Sequence, residues 1–492
     1  MTEHETRTFV AQGVSTFGSA VSEVLTLRDG RQISVVRQPL PGGGLISTHE
    51  DVTERKQADA LISHMALHDV LTELPNRLKL QDWMRRHLDL IPPGEYVALH
   101  CLDLDRFKAV NDTLGHPVGD ELLKAVARRL QGCVRGHDLV TRLGGDEFAI
   151  VQTSISAPEH AAALALRVIE SLSEPFDIDG NHVSIGASVG IALAPSDGRD
   201  AVELLKKADL ALYSSKAAGR GQYYFFETGM EAKVHARRQL ESDLRSALEL
   251  GQFSLHYQPI VELKEDTIVA MEALLRWKHP VRGDVSPTQF VPILEDIGLI
   301  EDVGLWVLEE ACKEAAKWPK EISVSVNISA HQFKSASLAF DIAAAIATAG
   351  LPSSRLEIEI TESALMQNTR ETLETLQSIR ALGVRIALDD FGTGYSSLSY
   401  LQAFPFDKIK IDKSFVQASP TKQETSHILK SIVDLGANLQ MVTTAEGVET
   451  REQLEQLRED GCTQVQGYYF SHPRSSLELA EILQKDAYKR AS

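Results

Sequence analysis

The sequence is short of positive charge. Its 492 residues include 50 Lys and Arg against 69 Asp and Glu, which gives a formal net charge of −19. DNA and anionic membranes repel a chain this acidic at long range, so we expect neither as a partner. A phosphorylated ligand would have to be attracted locally, by metal ions or by a few placed Arg and Lys side chains.

Cysteine is also scarce, and long apolar runs are missing. The four cysteines (Cys101, Cys133, Cys312 and Cys462) are far apart and form no C-x-x-C pair. This disfavours a disulfide framework and a cysteine-based zinc site, and we expect reduced thiols in a cytoplasmic protein. The best apolar stretch, residues 342–351, falls well short of the ~20 residues of a membrane span, and the first residues lack a signal-peptide pattern. We therefore expect no membrane insertion.

The composition is otherwise that of a globular protein, with 43% hydrophobic and 24% charged residues. At ~150 residues per domain, the length predicts roughly three domains. Turn sequences at 28–30 and 41–44 separate three predicted strands, Val21–Leu27, Gln32–Gln38 and Leu45–Glu50. A helical pattern begins at Asp51 or Thr53, and helices then alternate with strands. The last 240 or so residues repeat strand-then-helix, which is typical of a parallel sheet or barrel.

In the first alternating block, acidic residues lie beside a Gly-Gly turn. A predicted strand over Tyr96–Leu102 runs into Asp103 and Asp105, which alternation places on one side. Residues 142–148 have the pattern of a strand, a tight turn and a second strand. Glycines at the turn let a phosphate approach the backbone, and Asp146 can join Asp103 in binding Mg²⁺ and a triphosphate. The alternative is an ordinary hairpin with surface acids.

In the second block, seven strand-like segments each deliver a polar residue at the C-terminal end. These residues are Glu272, Asn327, Glu359, Asp389 with Asp390, Lys410, Glu446 and Gln466. In a (β/α)₈ barrel the carboxyl ends of the strands form the active-site face. Coincidence explains one or two such cases, since strands must end in something polar.

The whole set indicates an oxygen-rich site for Mg²⁺ or Mn²⁺. Glu272, Asn327, Glu359 and Asp389 can surround one metal ion, and Asp390 with Asp389 can hold a second. Two ions activate a water and stabilise both oxygens of an in-line phosphodiester displacement. Lys410 can orient that water or help to deprotonate it.

The first block resembles the GGDEF family of diguanylate cyclases over its whole length. The matching motifs are Asp69–Arg77 (with Glu73 where Gly is usual), Asp103–Lys108, Asn111-Asp112, Gly115–Asp120 and Arg142–Phe148. The resemblance implies an α+β, nucleotide-cyclase-like palm with a central antiparallel sheet. It implies metal binding by Asp103, the Leu104 carbonyl and Asp146, while Asp146 or Glu147 assists deprotonation of the ribose 3′-hydroxyl.

The same resemblance implies ligand-binding residues. Substrate would be bound by Lys108, Asn111, Asp120, Arg142, Lys216 and Arg220, with Asn111 and Asp120 on guanine. Gly221 stands where Asn is usual. Arg135 and Asp138 match the family's inhibitory product site, and a surface ion pair is the alternative for them.

The second block resembles the EAL family of cyclic-di-GMP phosphodiesterases. The matching motifs are Tyr257–Ile260, Glu272–Trp277, Val326–Ser329, Glu359–Glu362, Asp389–Leu398, Lys410–Asp412, Ala445–Thr450 and Gln466–Tyr468. The resemblance implies a (β/α)₈-type barrel with Glu272 and Lys410 catalytic and Glu446 in the metal network. It implies substrate binding by Gln258, Arg276, Glu449 and Gln466, and a loop after Asp390 that Glu362 anchors.

The N-terminal segment resembles the C-terminal half of a PAS sensor domain, whose typical ending matches Asp51–Arg55. We thus expect an α/β multidomain chain. Its predicted parts are a partial PAS-like segment (1–53), a linker helix (54–68), a GGDEF domain (69–228), a second linker helix (229–250) and an EAL domain (251–492).

The predicted function is turnover of cyclic-di-GMP. The first domain would condense two GTP molecules and the second would hydrolyse the product to pGpG. Because one GGDEF site holds one GTP, synthesis implies a homodimer. Two alternatives remain: a phosphodiesterase whose GGDEF domain binds GTP and activates its neighbour, and a non-enzymatic cyclic-di-GMP receptor.

Overall fold

A computed structural model of the chain describes residues 21–40, 45–335, 337–367, 369–392, 401, 404–417 and 423–491. The chain divides into two compact units, Met1–Ala236 and Arg237–Ser492. None of the helices in these ranges is both long and apolar enough to cross a membrane. All four cysteines are buried and free.

The first described elements form a small antiparallel sheet. Its strands, in spatial order, are β1 (Val21–Thr26), β2 (Gln32–Pro39) and β3 (Leu45–Asp51). All three strands were predicted, and the turn sequence at 41–44 lies outside the described residues. Helix α1 (Thr53–Leu67) follows, and its start is fixed by Asp51, whose Oδ1 accepts a hydrogen bond from the Thr53 backbone N–H at 3.0 Å.

The rest of the first unit alternates helices and strands. Its helices are α2 (Arg77–His87), α3 (Phe107–Leu114), α4 (His116–Cys133), α5 (Pro158–Ser173) and α6 (Ala201–Ala217), with a 3₁₀ turn at Leu88–Leu90. Its strands are β4 (Tyr96–Asp105), β5 (Leu139–Gly144), β6 (Glu147–Ile155), β7 (Phe176–Ile178), β8 (Asn181–Val183), β9 (Gly186–Ala194) and β10 (Tyr223–Phe225). Five strands form a sheet in the order β10–β9–β4–β6–β5, antiparallel except at β9–β10, which confirms the expected central antiparallel sheet.

Strand β4 is buried on both faces because helices cover both sides of the sheet. Its even-numbered apolar residues, such as Leu102, pack with α4 and α5, whereas odd-numbered ones, such as Leu99, pack with α2 and α6. The approach is closest at Gly190 on β9, where an added Cβ would lie 2.1 Å from the Ala208 carbonyl oxygen of α6. Asp103 and Asp105, also odd-numbered, therefore point toward the side that α6 covers.

Helix α7 (Met230–Ala247) begins in the first unit and ends in the second. Further helices that the structure describes in the second unit are α8 (Pro287–Asp296), α9 (Ile300–Ala315), α10 (Leu338–Ala349), α11 (Glu362–Gln367), α12 (Thr369–Ala381), α13 (Lys413–Val416), α14 (Gln423–Asn438), α15 (Arg451–Glu459) and α16 (Ser476–Ala491), with 3₁₀ turns at Gln332–Lys334 and Ser353–Arg355. Its strands are β11 (Phe253–Glu262), β12 (Thr267–His279), β13 (Gly283–Val285), β14 (Ser323–Asn327), β15 (Leu356–Thr361), β16 (Arg385–Phe391), β17 (Lys408–Ile411), β18 (Val442–Ala445), β19 (Gln464–Gln466) and β20 (Arg474–Ser475).

Eight of these strands close into a barrel. Strands β12, β14, β15, β16, β17, β18 and β19 are parallel neighbours in that order, and they are the seven segments predicted to end in polar residues. The eighth, β11, closes the barrel antiparallel to both β12 and β19. The barrel thus departs from an all-parallel one at a single strand. The connection at 263–266 is short enough for a hairpin and too short for the crossover that a parallel pair needs.

Candidate active sites

At the carboxyl end of the barrel, one lysine lies among four carboxylates. The Nζ of Lys410 is 2.7 Å from Oε2 of Glu359 and 2.6 Å from Oε1 of Glu446. Asp389 and Glu272 place carboxylate oxygens at 3.4 and 3.6 Å from the same atom. The Lys410 side chain is 1% exposed. Burial lowers the pKa of Lys410, but the carboxylates outweigh it and hold that pKa well above its ordinary value.

A lysine in this state carries its proton. In this ammonium form it can orient a water molecule through N–H donation, whereas accepting a proton from that water would require the neutral amine. Of the two roles predicted for Lys410, the geometry favours orientation.

Glu272 is held by two amide side chains. Asn327 donates to its Oε1 at 2.7 Å, and Gln466 donates to its Oε2 at 2.6 Å. Burial raises the pKa of Glu272, but Lys410 and these two hydrogen bonds bring it below its ordinary value. Glu272 does not end its strand as predicted, because β12 runs on to His279 beyond the pairing with β14.

Asp389 and Asp390 are neighbours in sequence, and adjacent residues of a regular strand point to opposite faces. Here the pairing of β16 with β17 is irregular between Leu388 and Phe391, and Asp390 has a left-handed φ of +55°. This bulge brings both aspartates together with Glu446, so that one oxygen from each lies within 4.8 Å of the others. Bulges redirect side chains in this way beside functional sites.

The crowded carboxylates raise one another's affinity for protons. Burial, together with Asp389 and Glu272, raises the pKa of Glu446 to about 7 against the opposing effect of Lys410. Burial raises the pKa of Asp390, with added effects of Asp389 and Asp412. Among the described residues, the Oε1 atoms of Glu359 and Gln466 are buried without a hydrogen-bond donor. An all-oxygen donor set with excess negative charge fits Mg²⁺ or Mn²⁺.

The predicted substrate residues of the barrel lie at different distances from this cluster. Gln258 is opposite Glu272 in the β11–β12 pairing, and its Oε1 accepts from Gln466 at 3.1 Å. Arg276 follows Glu272 on the same side of β12, and burial lowers its pKa. Glu449 is exposed and accepts from the Gln417 amide at 2.9 Å. The structure thus joins Gln258 and Gln466 to Glu272, whereas Glu449 has its own separate partner.

Glu362 contacts the beginning of the loop that follows Asp390. Its Oε2 accepts a hydrogen bond from the Gly392 backbone N–H at 3.4 Å, and its side chain is buried. The rest of that motif, residues 393–398, lies outside the described residues. Anchoring of the loop by Glu362 stays a prediction that this contact supports.

In the first unit, Asp103 forms an ion pair with Lys216 of α6. Oδ2 of Asp103 is 2.6 Å from Nζ, and Asp103 is opposite Glu147 in the β4–β6 pairing. Burial raises the pKa of Asp103; Lys216 opposes this rise, and Asp146 and Glu147 add to it. Two predicted metal ligands, Asp103 and Asp146, therefore lie near the predicted phosphate-binding Lys216. Carboxylates that repel one another beside a single ammonium group fit a divalent cation.

The Gly-Gly turn between β5 and β6 is open and depends on glycine. Gly145 has a left-handed φ of +54°, and a Cβ added at either Gly144 or Gly145 would meet nothing within 4 Å. This leaves backbone accessible to a bulky ligand.

Arg142 supports this turn from behind. Its Nε and one terminal nitrogen donate to the Gly145 carbonyl at 3.0 and 2.7 Å, and its other terminal nitrogen donates to Oδ1 of Asp69 at 2.7 Å. The sequence predicts direct binding of substrate by Arg142. The structure shows all three nitrogens of the buried guanidinium bonded to the protein, which is the geometry of a supporting residue.

Asn111, the predicted base-recognition residue, keeps a free acceptor atom. Its Oδ1 is buried and has no hydrogen-bond partner among the described residues. The space it fills exists because residue 119 is glycine: a Cβ there would lie 1.9 Å from Oδ1 of Asn111. The other predicted substrate residues of this site, Lys108, Asp120 and Arg220, are exposed.

At the predicted product site, both carboxylate oxygens of Asp138 accept hydrogen bonds from backbone N–H groups of the protein. Its Oδ2 accepts from the Arg135 backbone N–H at 3.0 Å and its Oδ1 from the Thr153 backbone N–H at 3.0 Å, with 2% of the side chain exposed. The contact between Arg135 and Asp138 is thus not the side-chain ion pair considered as the alternative. An adjoining cavity of about 320 Å³ is lined by Arg135, Asp138 and also Arg167.

The sequence missed two groups near these sites. Arg167 lies on α5, and no motif spacing connects it with Arg135. Asp209 lies on α6 two helical turns before Lys216; burial raises its pKa, and it accepts a hydrogen bond from the buried Cys101 thiol. The seven-residue spacing to Lys216 was the available signal for Asp209, since it places both residues on one helix face.

Comparison with known protein families gives three matches. Residues 66–222 match "Diguanylate cyclase, GGDEF domain", residues 241–473 match "EAL domain" and residues 1–60 match "PAS fold". These ranges agree in order with the predicted organisation. The predicted boundaries themselves stay predictions.

Three relatives are similar over most of this chain. The chain is 41% identical over 432 residues to the bifunctional diguanylate cyclase/cyclic di-GMP phosphodiesterase MucR of Pseudomonas aeruginosa, covering 87% of this chain and 63% of MucR. It is 40% identical over 431 residues to the cyclic di-GMP phosphodiesterase NbdA of the same organism, covering 87% of this chain and 55% of NbdA. An uncharacterized protein of Mycobacterium bovis, Mb1389c, is 36% identical over 427 residues, which are 86% of this chain and 68% of the relative. The chain thus spans about half to two thirds of the curated relatives that it matches.

Proposed function

The chain belongs to the family of proteins that join a GGDEF domain to an EAL domain, and from this premise we propose that it makes and breaks cyclic-di-GMP. The EAL domain hydrolyses cyclic-di-GMP to linear pGpG, and the GGDEF domain condenses two GTP molecules to cyclic-di-GMP. Both activities use Mg²⁺ or Mn²⁺.

The observation that carries the hydrolase proposal is the group of four carboxylates around buried Lys410, together with the bulge that adds Asp390. The metal ligands we propose are Glu272, Asn327, Glu359, Asp389, Asp390 and Glu446. When bound, the metal supplies an activated water and neutralises charge on the phosphodiester. The intact acids argue against a pure receptor, which does not need a hydrolytic metal site.

The chain's own residues have distinct parts in this reaction. Asn327 and Gln466 fix both oxygens of Glu272, so that this carboxylate enters the site already oriented. The Lys410 ammonium orients the attacking water and offsets charge that develops on the phosphate oxygens. Arg276 binds a substrate phosphate, while Gln258, Gln466 and Glu449 contact the rest of the dinucleotide.

The cyclase proposal rests on the acidic cluster beside the open turn. Asp103, the Leu104 carbonyl and Asp146 bind metal, Lys108, Lys216 and Arg220 face the triphosphate, and Asn111 with Asp120 recognises guanine. Asp146 or Glu147 assists removal of the ribose 3′-hydroxyl proton. Because one site holds one GTP, two chains must face each other. We propose a homodimer formed through α1 and the EAL domain.

Two regulatory assignments accompany this proposal. Arg135 and Asp138, beside the cavity that Arg167 also lines, bind the cyclic product and inhibit synthesis. Glu362 holds the loop after Asp390 and so couples that loop to hydrolysis. We also propose that residues 1–53 are a partial PAS-like segment and that the chain works in the cytoplasm.

One assay on five full-length proteins tests both halves. Wild type, Asp146→Ala, Glu272→Ala and two controls with exposed acids replaced, Asp177→Ala and Glu265→Ala, are given GTP or cyclic-di-GMP with Mg²⁺ or Mn²⁺, and nucleotides are separated by chromatography. We expect Asp146→Ala to lose only synthesis, Glu272→Ala to lose only hydrolysis and the controls to keep both. Wild type without turnover of either nucleotide would contradict the enzyme proposal.

A phosphodiesterase with a GTP-binding GGDEF domain is the second candidate, and the comparison with NbdA favours keeping it. It predicts no cyclic-di-GMP from GTP, but faster hydrolysis when GTP is added. In that case Asp120→Ala, which removes a proposed guanine contact, abolishes the activation and leaves the basal hydrolysis unchanged.

A further inference from the structure

A further ion pair is buried inside the barrel, one layer below the Lys410 cluster, that is, toward the amino-terminal ends of the parallel strands. The Nζ of Lys408 lies 2.5 Å from Oε1 of Glu357, and the two side chains are 3% and 1% exposed. Glu357 precedes Glu359 by two residues on β15, and Lys408 precedes Lys410 by two on β17. Because side chains alternate along a strand, each member lies on the same side of its strand as the residue above it, about 7 Å away.

The surroundings of this pair are polar as well. The Ser325 hydroxyl donates to Oε1 of Glu357 at 2.9 Å, and the Nε of Arg385 lies 3.9 Å from Oε2. Parallel barrels ordinarily fill this layer with bulky branched side chains. A buried ion pair costs desolvation on both members, and well-packed apolar residues of the same volume usually give equal or greater stability. Stability alone therefore gives no reason for this pair.

In the two layers, groups of the same charge lie above one another. The Glu357 carboxylate is under the carboxylate of Glu359, and the Lys408 ammonium is under the ammonium of Lys410. As a pair, Glu357 and Lys408 are neutral and change the potential at the metal ligands little. If Glu357 loses its charge, the Lys408 ammonium remains uncompensated close below those ligands, in a region of low dielectric constant. If Lys408 loses its charge, Glu357 keeps, among the described residues, only the more distant Arg385 as a cationic partner.

We propose that Glu357 and Lys408 are positioning residues of the barrel site: their opposite charges, which compensate each other under Glu359 and Lys410, set the affinity of the site for a divalent cation. This inference rests on the proposed metal site. It assigns neither residue a contact with substrate or with the metal.

The proposal predicts effects of opposite sign from the two single substitutions. Glu357→Gln leaves the positive charge of Lys408 and should weaken Mn²⁺ binding about tenfold or more. Lys408→Met leaves the negative charge of Glu357 and should tighten Mn²⁺ binding by a similar factor. The double variant Glu357→Gln/Lys408→Met should return to within about threefold of the parent protein. A role in packing alone would weaken binding in all three.

The measurement is Mn²⁺ binding by electron paramagnetic resonance on the full-length chain. The parent carries Asp103→Ala and Asp146→Ala, so that binding reports on the barrel. Ser325→Ala is the matched control, because it removes a hydrogen bond to Glu357 without changing charge, and we expect its Kd within about threefold of the parent. Thermal unfolding of each variant checks folding. If Glu357→Gln does not fold, Lys408→Met still has to tighten binding, and unchanged or weaker binding overturns the proposal.

A further variant separates this inference from the proposed function. Asp389→Ala in the same parent should abolish Mn²⁺ binding. If it does not, the proposed metal site is wrong and the inference fails with it. If Asp389→Ala abolishes binding but both single substitutions shift the Kd in the same direction, only the positioning proposal is overturned.

Discussion

Asp69 and Arg142 are separated by 73 residues in the sequence, yet a guanidinium nitrogen of Arg142 donates a hydrogen bond to Oδ1 of Asp69 at 2.7 Å. The same guanidinium donates two hydrogen bonds to the Gly145 carbonyl, and Asp69 also accepts from the Thr72 backbone N–H at 2.9 Å. This connects the segment just after α1 with the Gly-Gly turn. The shape of the turn therefore depends on a residue far from it in sequence.

Replacing Arg142 by lysine should lower synthesis without unfolding the first unit. An ammonium group cannot make the two parallel bonds to Gly145 and the bond to Asp69 at once, so the turn loses its fixed geometry. We expect cyclic-di-GMP synthesis to fall about tenfold or more, measured as initial rates from GTP. Arg128→Lys, an exposed arginine on α4, is the control and should keep the wild-type rate. An unchanged rate in Arg142→Lys would show that the turn does not need this support.

Gly119→Ala should weaken GTP binding. The new Cβ would lie 1.9 Å from Oδ1 of Asn111, so Asn111 must leave its position. We expect the KM for GTP to rise about tenfold, which corresponds to the loss of about 1.4 kcal/mol of binding energy. Gly132→Ala on the same helix is the control, because a Cβ there meets nothing within 4 Å. Equal KM values for the two variants would contradict the assignment of Asn111 to the base.

Lys410→Met should disable hydrolysis and destabilise the metal-free barrel. Removing the ammonium leaves buried carboxylates without their compensating charge, which typically costs about 3–5 kcal/mol. We expect hydrolysis of cyclic-di-GMP to fall at least about 100-fold, and the thermal unfolding temperature in EDTA to fall and to recover partly with Mn²⁺. Lys430→Met changes an exposed lysine and should do neither. A lower unfolding temperature that Mn²⁺ leaves unchanged would count against metal binding by these carboxylates.

The first unit should lose stability in mild acid because of His100. Its Nε2 lies 3.2 Å from the Gln152 Oε1, and burial lowers the pKa of His100 to about 4. An unfolded histidine has a pKa of about 6.5, so below that pH the unfolded chain binds a proton that the folded one does not. Stability should therefore fall as the pH drops from about 6.5 to about 4, by about 3 kcal/mol in total.

Denaturant unfolding of wild type and His100→Asn between pH 7 and pH 4.5 measures this effect. Asparagine does not titrate, so the variant should lose this part of the pH dependence even if it is less stable at pH 7. Parallel pH profiles for the two proteins would mean that another group controls acid stability.

The sequence predicts the barrel and the polar residues that the structure brings together at its carboxyl end because the relevant information is local. Each parallel strand is a short apolar run that delivers a polar residue such as Asn327 or Asp389, and that pattern can be recognised without knowing which strands are neighbours. The reversed strand β11 was not predicted, although the short connection at 263–266 was a usable signal. The bulge at Asp390 was not predicted either, because it arises from pairing with another strand.

Side-chain partnerships that span large sequence distances account for the remaining differences. The chemistry of Arg142 and Asp138 predicts ligand binding but not their protein partners: Arg142 donates to Asp69, and Asp138 accepts from the Thr153 backbone N–H. Glu73, which stands where glycine is usual, has a left-handed φ of +58°, so the departure from the motif carries a strained backbone. The pairing of Lys408 with Glu357 depends on which strands flank β16, and no motif contains that information.

Hydrolysis of cyclic-di-GMP by wild type and Glu272→Ala, each with Mn²⁺ and with EDTA, is the most direct test of the barrel site. Chromatography of the nucleotides should show pGpG from wild type with Mn²⁺, and none from wild type in EDTA or from Glu272→Ala in either condition. Release of pGpG by Glu272→Ala at the wild-type rate, or by wild type in EDTA, would contradict a metal-dependent phosphodiesterase at the mouth of this barrel.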